Sequence, residues 1–472
     1  RAITTAKTND LIANTVLSYQ ISPSWELKAN LGLTDLKNAE QRLLPSTMYD
    51  PAYGLGSNRS SMFSNNTQRK SWIVEPQLRW NHDFGISKID ILVGGTAQQQ
   101  TSSRLYQFGY GFASNSQITD IASATQKSIY VSDETLYKYQ AFFGRLNYNW
   151  DQKYIVNITG RRDGSSRFGP GKQFATFGAV GAAWLFSKEN FLKENTVFSF
   201  GKLRASYGSS GSDQIGDYQY LDTYTSSGLN YNGAIGLDPT RLYNPDFSWE
   251  INKKLEAALE MGLLSDRIFF TLAWYRNRSS NQLVGIPLPG TTGFSSINAN
   301  LNATVQNMGL EFTLRTLNFE SSNFKWTTNF NISASHNKLL SFPGLEGSTY
   351  SNRYVIGEST SIVKTYQFNG VNTQTGLYEV EDVDNDGKIT SLGDKKTIVD
   401  LTPEYFGGLE NQFQYKNWHL DFLFQFVKQK NYDYNPSVPG GSFFNQNSNM
   451  ANAWQQAGDQ VPFQMNTSGE NG

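Results

Sequence analysis

MGLEFTLRTLNF (308–319) and FKWTTNFNISAS (324–335) are two alternating segments separated by Glu320 to Asn323. Met308, Leu310, Phe312 and Leu314 fall on one face of the first, opposite Gly309, Glu311, Thr313 and Arg315. In the second, Phe324, Trp326, Thr328, Phe330, Ile332 and Ala334 oppose Lys325, Thr327, Asn329, Asn331, Ser333 and Ser335. Strand side chains alternate with period two, so each segment has one apolar and one polar face. The pattern holds for about ten residues or more, against about five to six in ordinary soluble strands and about 9–11 in a tilted bilayer-crossing strand.

The same unit recurs along the chain. Leu11–Ile21 and Trp25–Thr34 read as a hairpin, and Trp72, Val74, Pro76, Leu78 and Trp80 continue the pattern towards Ile89, Ile91 and Val93. Phe142, Leu146, Tyr148 and Trp150 precede a turn at 151–153, then Tyr154, Val156 and Ile158. Strands are expected at 174–187 and 198–208, and at Leu255–Leu263 with Ile268–Trp274. A last hairpin carries Leu409, Phe413 and Tyr415, then Trp418, Leu420, Phe422, Phe424 and Phe426. Roughly fourteen to sixteen strands are expected. Short turns alternate with long polar loops near 35–69, 100–135, 209–247, 281–303 and 338–404, and a polar tail runs from 430. Alternating short turns and long loops are the pattern of outer-membrane barrels, and aromatics near strand ends suit their interfacial girdles.

Composition supports an all-β transmembrane antiparallel barrel. Charged residues are 17% of 472 and aromatics 14%, and there is no run of 18 apolar residues for a helical span. A net charge of -1 gives no basis for nucleic-acid binding, and the absence of cysteine excludes disulfides and thiolate metal sites. No signal peptide is visible, and residue 1 stands just before a strand-like stretch, so the native N-terminus is expected to lie further upstream. The competing soluble reading is a set of β-sandwich domains, which also alternate faces.

Catalytic motifs are not found. His82, His336 and His419 fall in separate hairpins. GPGK at 169–172 lacks the spacing and following Ser/Thr of a phosphate loop, and GSSGS at 208–212 lacks the final glycine of a nucleophile elbow. Asp382, Asp384 and Asp386, followed by Gly387, match the first half of an EF-hand-type loop. Carboxylate oxygens suit Ca²⁺, the Lys388 carbonyl would join the shell, and Ile389 would anchor the loop. Position twelve is Gly393, and Asp394 comes one residue late. A metal-free turn rich in Asp, Asn and Gly is the alternative. Tyr218, Tyr220, Tyr224 and Tyr231 are candidates for stacking on sugars.

Several stretches together resemble the SusC/RagA family of TonB-dependent outer-membrane transporters. RRDGSSRFGPGKQFATFGAVGAAWLFSKENFLK (161–193), the block 244–296, VQNMGLEFTL (305–314) and DVDNDGKIT (382–390) carry the resemblance. It implies a barrel of about 22 strands, of which this chain would be an internal part without the N-terminal plug and the closing strands. It further implies a SusD-like surface lipoprotein as lid, energy from TonB–ExbB–ExbD through the plug, and import of oligosaccharides or peptides. A non-transporting structural barrel subunit is the alternative function. On either reading the chain is a multi-pass protein of the bacterial outer membrane, embedded in its lipid, and not an enzyme.

Overall fold

The opening hairpin forms with the expected register. Leu310 pairs with Ala334, Phe312 with Ile332 and Leu314 with Phe330, while Glu311, Thr313 and Arg315 pair with Ser333, Asn331 and Asn329. The next pairings carry the apolar row on, through Phe330 to Leu409 and Leu409 to Phe424. Leu310 is 52% exposed and Phe424 63%, so no second layer of protein covers this face. One polar member, Asn411, is satisfied within the face by hydrogen bonds from Trp326 Nε1 at 3.0 Å and Thr328 Oγ1 at 2.7 Å.

The computed structural model describes residues 1–192, 195–432 and 448–466; the expected polar tail from 430 falls largely outside them. The strands are β1 Ile3–Ser22, β2 Trp25–Leu44, β3 Ser61–Phe84, β4 Ser87–Tyr110, β5 Gln126–Trp150, β6 Tyr154–Ser165 and β7 Phe174–Trp184. Then come β8 Phe198–Ser212, β9 Thr223–Tyr231, β10 Ala234–Arg241, β11 Glu250–Leu263, β12 Ile268–Pro287, β13 Ser296–Glu320 and β14 Phe324–Ser341. Last are β15 Ile362–Thr365, β16 Phe368–Val371, β17 Tyr378–Val380, β18 Thr397–Asp400, β19 Tyr405–Tyr415 and β20 Trp418–Lys428. Fourteen make one sheet in the order β1-β2-β3-β4-β5-β6-β7-β8-β11-β12-β13-β14-β19-β20, and β9–β10, β15–β18 and β16–β17 are separate pairs. The described residues group into two units, one of 1–189, 204–254 and 281–301, the other of 190–203, 255–280 and 302–472.

In the first unit, β1 to β7 pair antiparallel in sequence order. Their tight turns lie at one end, at 23–24, 85–86 and 151–153, with Gly85 at φ 62 and Asp151 at φ 51. Just inside these turns an aromatic row crosses the outward face: Trp25 opposite Trp80 with rings 6.3 Å apart, Trp150 and Tyr154 at 5.3 Å, and Trp184 paired with Tyr154. Eight residues separate Trp80 from Trp72 at the other edge of the apolar rows. At about 3.4 Å per residue this is ~27 Å of strand, or ~21 Å of height at a tilt of about 40°, close to the ~25 Å apolar band of membrane barrels.

Several sequence boundaries need correction. The segments 35–44, 61–69, 100–110 and 126–135, expected as loop, are strand; β3, β4 and β5 run 24, 24 and 25 residues. Likewise 281–287 and 296–303 extend β12 and β13, β6 runs on to Ser165, β8 to Ser212, and β7 stops at Trp184. The expected loop 209–247 holds β9 and β10, and 338–404 holds β15 to β18. Past Trp72 both faces of these strands are polar or mixed, so no hydrophobic alternation marks them even though their ladders continue.

The connections opposite the tight turns fold back into small cores. Phe112, Ile118 and Ala124 bury against Leu43 and Met62. Phe168, Phe247, Phe177 and Trp249 pack behind β5 to β7 with Tyr139 and Tyr220, and Trp249 Nε1 donates to the Gln173 carbonyl at 2.9 Å.

Candidate functional site

The acidic loop between β17 and β18 is the one chemical motif singled out in the sequence, and it closes on itself. Gly387, at φ 80, sets the turn and its amide donates to Asp382 Oδ2 at 2.8 Å. Asp394 is completely buried and accepts from the Val383 amide at 2.7 Å and the Thr390 amide at 2.6 Å. The Asp384 carboxylate packs into the space that a Cβ at Gly393 would occupy. Carboxylate oxygens of Asp382, Asp384 and Asp394 lie within 4.8 Å of one another. Asp382 Oδ1 is shielded from solvent and has no hydrogen-bond partner.

Of the expected ligands, Asp382, Asp384 and Asp394 are therefore brought together. Asp386 instead accepts from the Lys388 amide at 2.8 Å and is not part of this carboxylate group. Ile389 is half exposed and anchors nothing, contrary to the expectation from its position. Desolvation and the neighbouring Asp386 charge push the Asp384 carboxyl above its ordinary range. The Thr390 amide holds the Asp394 carboxyl below its own. Close carboxylates with an orphaned, shielded oxygen fit a hard divalent cation, which would cancel their repulsion and complete the coordination of Asp382.

On the polar face of the first unit, Asp90 joins Arg79 (Nε to Oδ2, 2.6 Å) and Arg145 (Nη2 to Oδ1, 3.1 Å), and Arg79 also approaches Glu26 at 3.9 Å. Nearer the loops, Tyr137 and Ser165 donate to Asp213 at 2.9 and 2.7 Å. Arg167 pairs with Asp217 at 2.9 Å while stacking on Tyr137 at 4.3 Å. Asn300 clamps the 244–249 segment, accepting from the Ser248 amide and donating to the Ser248 and Asn281 carbonyls. Sequence reading missed these loop-base groups; their only trace was the run of Asn, Ser and Gln in long polar stretches.

The tyrosines divide. Tyr218 Oη accepts from the Leu136 amide at 2.9 Å and Tyr220 packs on the Phe168 core, so both hold structure. Tyr224 and Tyr231 stand out on β9, the latter 87% exposed. His82 sits between Trp80 and Phe84 as an ordinary ring contact, and His336 and His419 lie on β14 and β20.

Residues 3–458 match the family model described as TonB dependent receptor-like, beta-barrel. Similar curated proteins include TonB-dependent receptor P26 of Formosa agariphila, 28% identical over 88% of this chain and 44% of that protein. TonB-dependent receptor SusC of Bacteroides thetaiotaomicron is 26% identical over 88% of this chain and 43% of that protein. The chain thus spans less than half the length of these relatives. Among solved structures, the RagAB peptide transporter superposes with a TM-score of 0.85 at 22% identity, covering 99% of this chain and 54% of that one.

Proposed function

The chain belongs to the TonB dependent receptor-like β-barrel family, and from that premise we propose that it forms the wall of an active importer. It is a β-barrel segment of the outer membrane, crossing with strands. The observation that carries the transport reading is the two-faced sheet. Its apolar face is bare over the height of a bilayer, and its other face is lined with ion pairs such as Arg79–Asp90–Arg145. An apolar outside and a hydrated, charge-lined inside are the wall of a lumen, which an importer needs for its cargo.

The cargo is an oligosaccharide or a peptide, too large for passive pores. A SusD-like lipoprotein covers the loop end, and TonB–ExbB–ExbD supplies energy through a plug segment encoded outside this chain. Asp382, Asp384 and Asp394 hold a structural Ca²⁺ that stiffens the long connection between β14 and β19; the shielded orphan oxygen supports this. The test is uptake of labelled oligosaccharide and labelled peptide by cells carrying the full-length receptor. Uptake of one of them, lost when the TonB box is deleted, is expected. Uptake indifferent to that deletion would overturn the reading and leave a structural barrel.

A further inference from the structure

The outward face of the first unit is apolar up to Trp72, and at that boundary it holds a recess of about 400 Å³. Register fixes which side chains meet there. Trp72 pairs with Gln99 and Gln99 with Lys138, so all three share the outward face. One step nearer the tight turns, Ala97 pairs with Gln140, Gln140 with Gly164, and Gly164 with Phe174. Small residues, Ala97 and Gly164, make the floor. Trp72, 41% exposed, and Phe174, 43% exposed, make opposite walls. Gly164 is required, since a Cβ there would lie 2.5 Å from the Phe174 ring.

One cation, Lys138, borders this recess, and a second, Arg162, stands beside its Phe174 wall. The Arg162 guanidinium carbon lies over the Phe174 ring, 5.3 Å from its centroid. Neither makes an ion pair among the described residues. No Asp or Glu shares the outward face at 95–101, 136–142, 162–164 or 174–176. The nearest outward acid is Glu134, two outward positions along β5 from Lys138, and on β2 Asp35 is engaged by Lys37 at 3.9 Å and Gln68 at 3.1 Å. Tyr139, which alternates to the other face, borders the recess and packs with the Phe168 and Trp249 cluster behind the sheet.

From this geometry we propose that the recess seats the phosphate-bearing headgroup of a glycolipid of the outer leaflet. The loop end of such barrels is the extracellular one, so the site lies at the outer leaflet's headgroup level. The apolar rows continue directly below it through Val93, Phe142, Ile158 and Val180, all about half or more exposed, where acyl chains lie. A cation at a hydrocarbon boundary with no protein counter-ion is costly unless an anion meets it. Phosphate matches both the planar fork of Arg162 and the point charge of Lys138, and the indole and phenyl walls suit the sugar and glycerol-like bodies of a headgroup. The inference rests on membrane placement and is independent of which cargo is carried.

The test uses the full-length receptor in nanodiscs of zwitterionic phospholipid, titrated with bisphosphorylated lipid A, with the same lipid after phosphatase treatment, and with inorganic phosphate. Native mass spectrometry reads bound lipid. Lipid A should bind the parent at least tenfold more tightly than its dephosphorylated form. The double variant Lys138→Gln, Arg162→Gln should lose that preference, while Lys37→Gln, an outward cation already paired with Asp35, should keep it. Equal binding of the two lipids to the parent would overturn the proposal even if the double variant does not fold. So would a double variant with undiminished preference, or saturation by inorganic phosphate with no preference among lipids. Cargo uptake is a separate readout, so failure of the transport reading leaves this one standing.

Discussion

Replacing Phe330 by arginine tests the facing assignment most directly. Phe330 is outward on β14, paired with Leu314 and Leu409, and its ring lies 6.2 Å from both Phe312 and Phe426. It is four residues from Trp326, the tryptophan of the aromatic row near the tight turn. At about 3.4 Å per residue and a tilt of about 40°, that places it ~10 Å into a band of ~25 Å, near the midplane. An arginine there should cost about 2–4 kcal/mol, and losing two ring contacts adds about 1–3 kcal/mol. Asn329, the adjacent residue, faces the other way and donates to Glu410 Oε2 at 2.9 Å. Arginine at 329 can keep an interaction with Glu410, so its cost should stay below about 1 kcal/mol. Reversible denaturant unfolding of the full-length receptor from lipid vesicles, followed by tryptophan fluorescence, measures both. Equal destabilisation by Phe330→Arg and Asn329→Arg would refute the claim that hydrocarbon covers the Phe330 face.

Asp384→Ala with Asp394→Ala should make the 380–396 loop protease-sensitive whether or not calcium is present, whereas the parent loop should be cut only after chelation; cleavage of the parent indifferent to chelator would remove the metal. Trp249→Ala empties the Phe168–Phe177–Phe247 cluster and should cost about 3–5 kcal/mol, seen as early proteolysis at 166–173 and 244–249. Asp90→Ala leaves Arg79 and Arg145 without their shared carboxylate and should cost about 1–3 kcal/mol in the same unfolding assay, with Asp90→Asn costing less.

The hairpin at 308–335 was readable because its information is local. Outward residues meet hydrocarbon and inward ones water, so each position declares its face, and the register of β13 with β14 agrees with that declaration pair by pair. Past Trp72 the rule lapses. Both faces of β3 to β5 meet polar surroundings there, and the ladders that extend these strands are backbone bonds that no side-chain pattern reports. The acidic loop was half legible. Three alternating aspartates and Gly387 announce a cation-shaped turn, but whether a late Asp394 can reach it depends on how 387–393 folds.

The sequence alone determined an all-β membrane wall, its oily face, its family and the candidate acids, because period-two alternation and short motifs are properties of neighbouring residues. Tertiary structure decided the rest. It brought Asp394 to Asp382 and Asp384 with Asp386 outside the group, turned Tyr218 and Tyr220 into loop supports, and joined Tyr137 to Asp213 across 76 residues. It also brought Trp72, Lys138 and Phe174 to one recess by aligning β3 with β5 and β7. Those outcomes depend on register and loop closure between segments far apart, which only the folded sheet specifies.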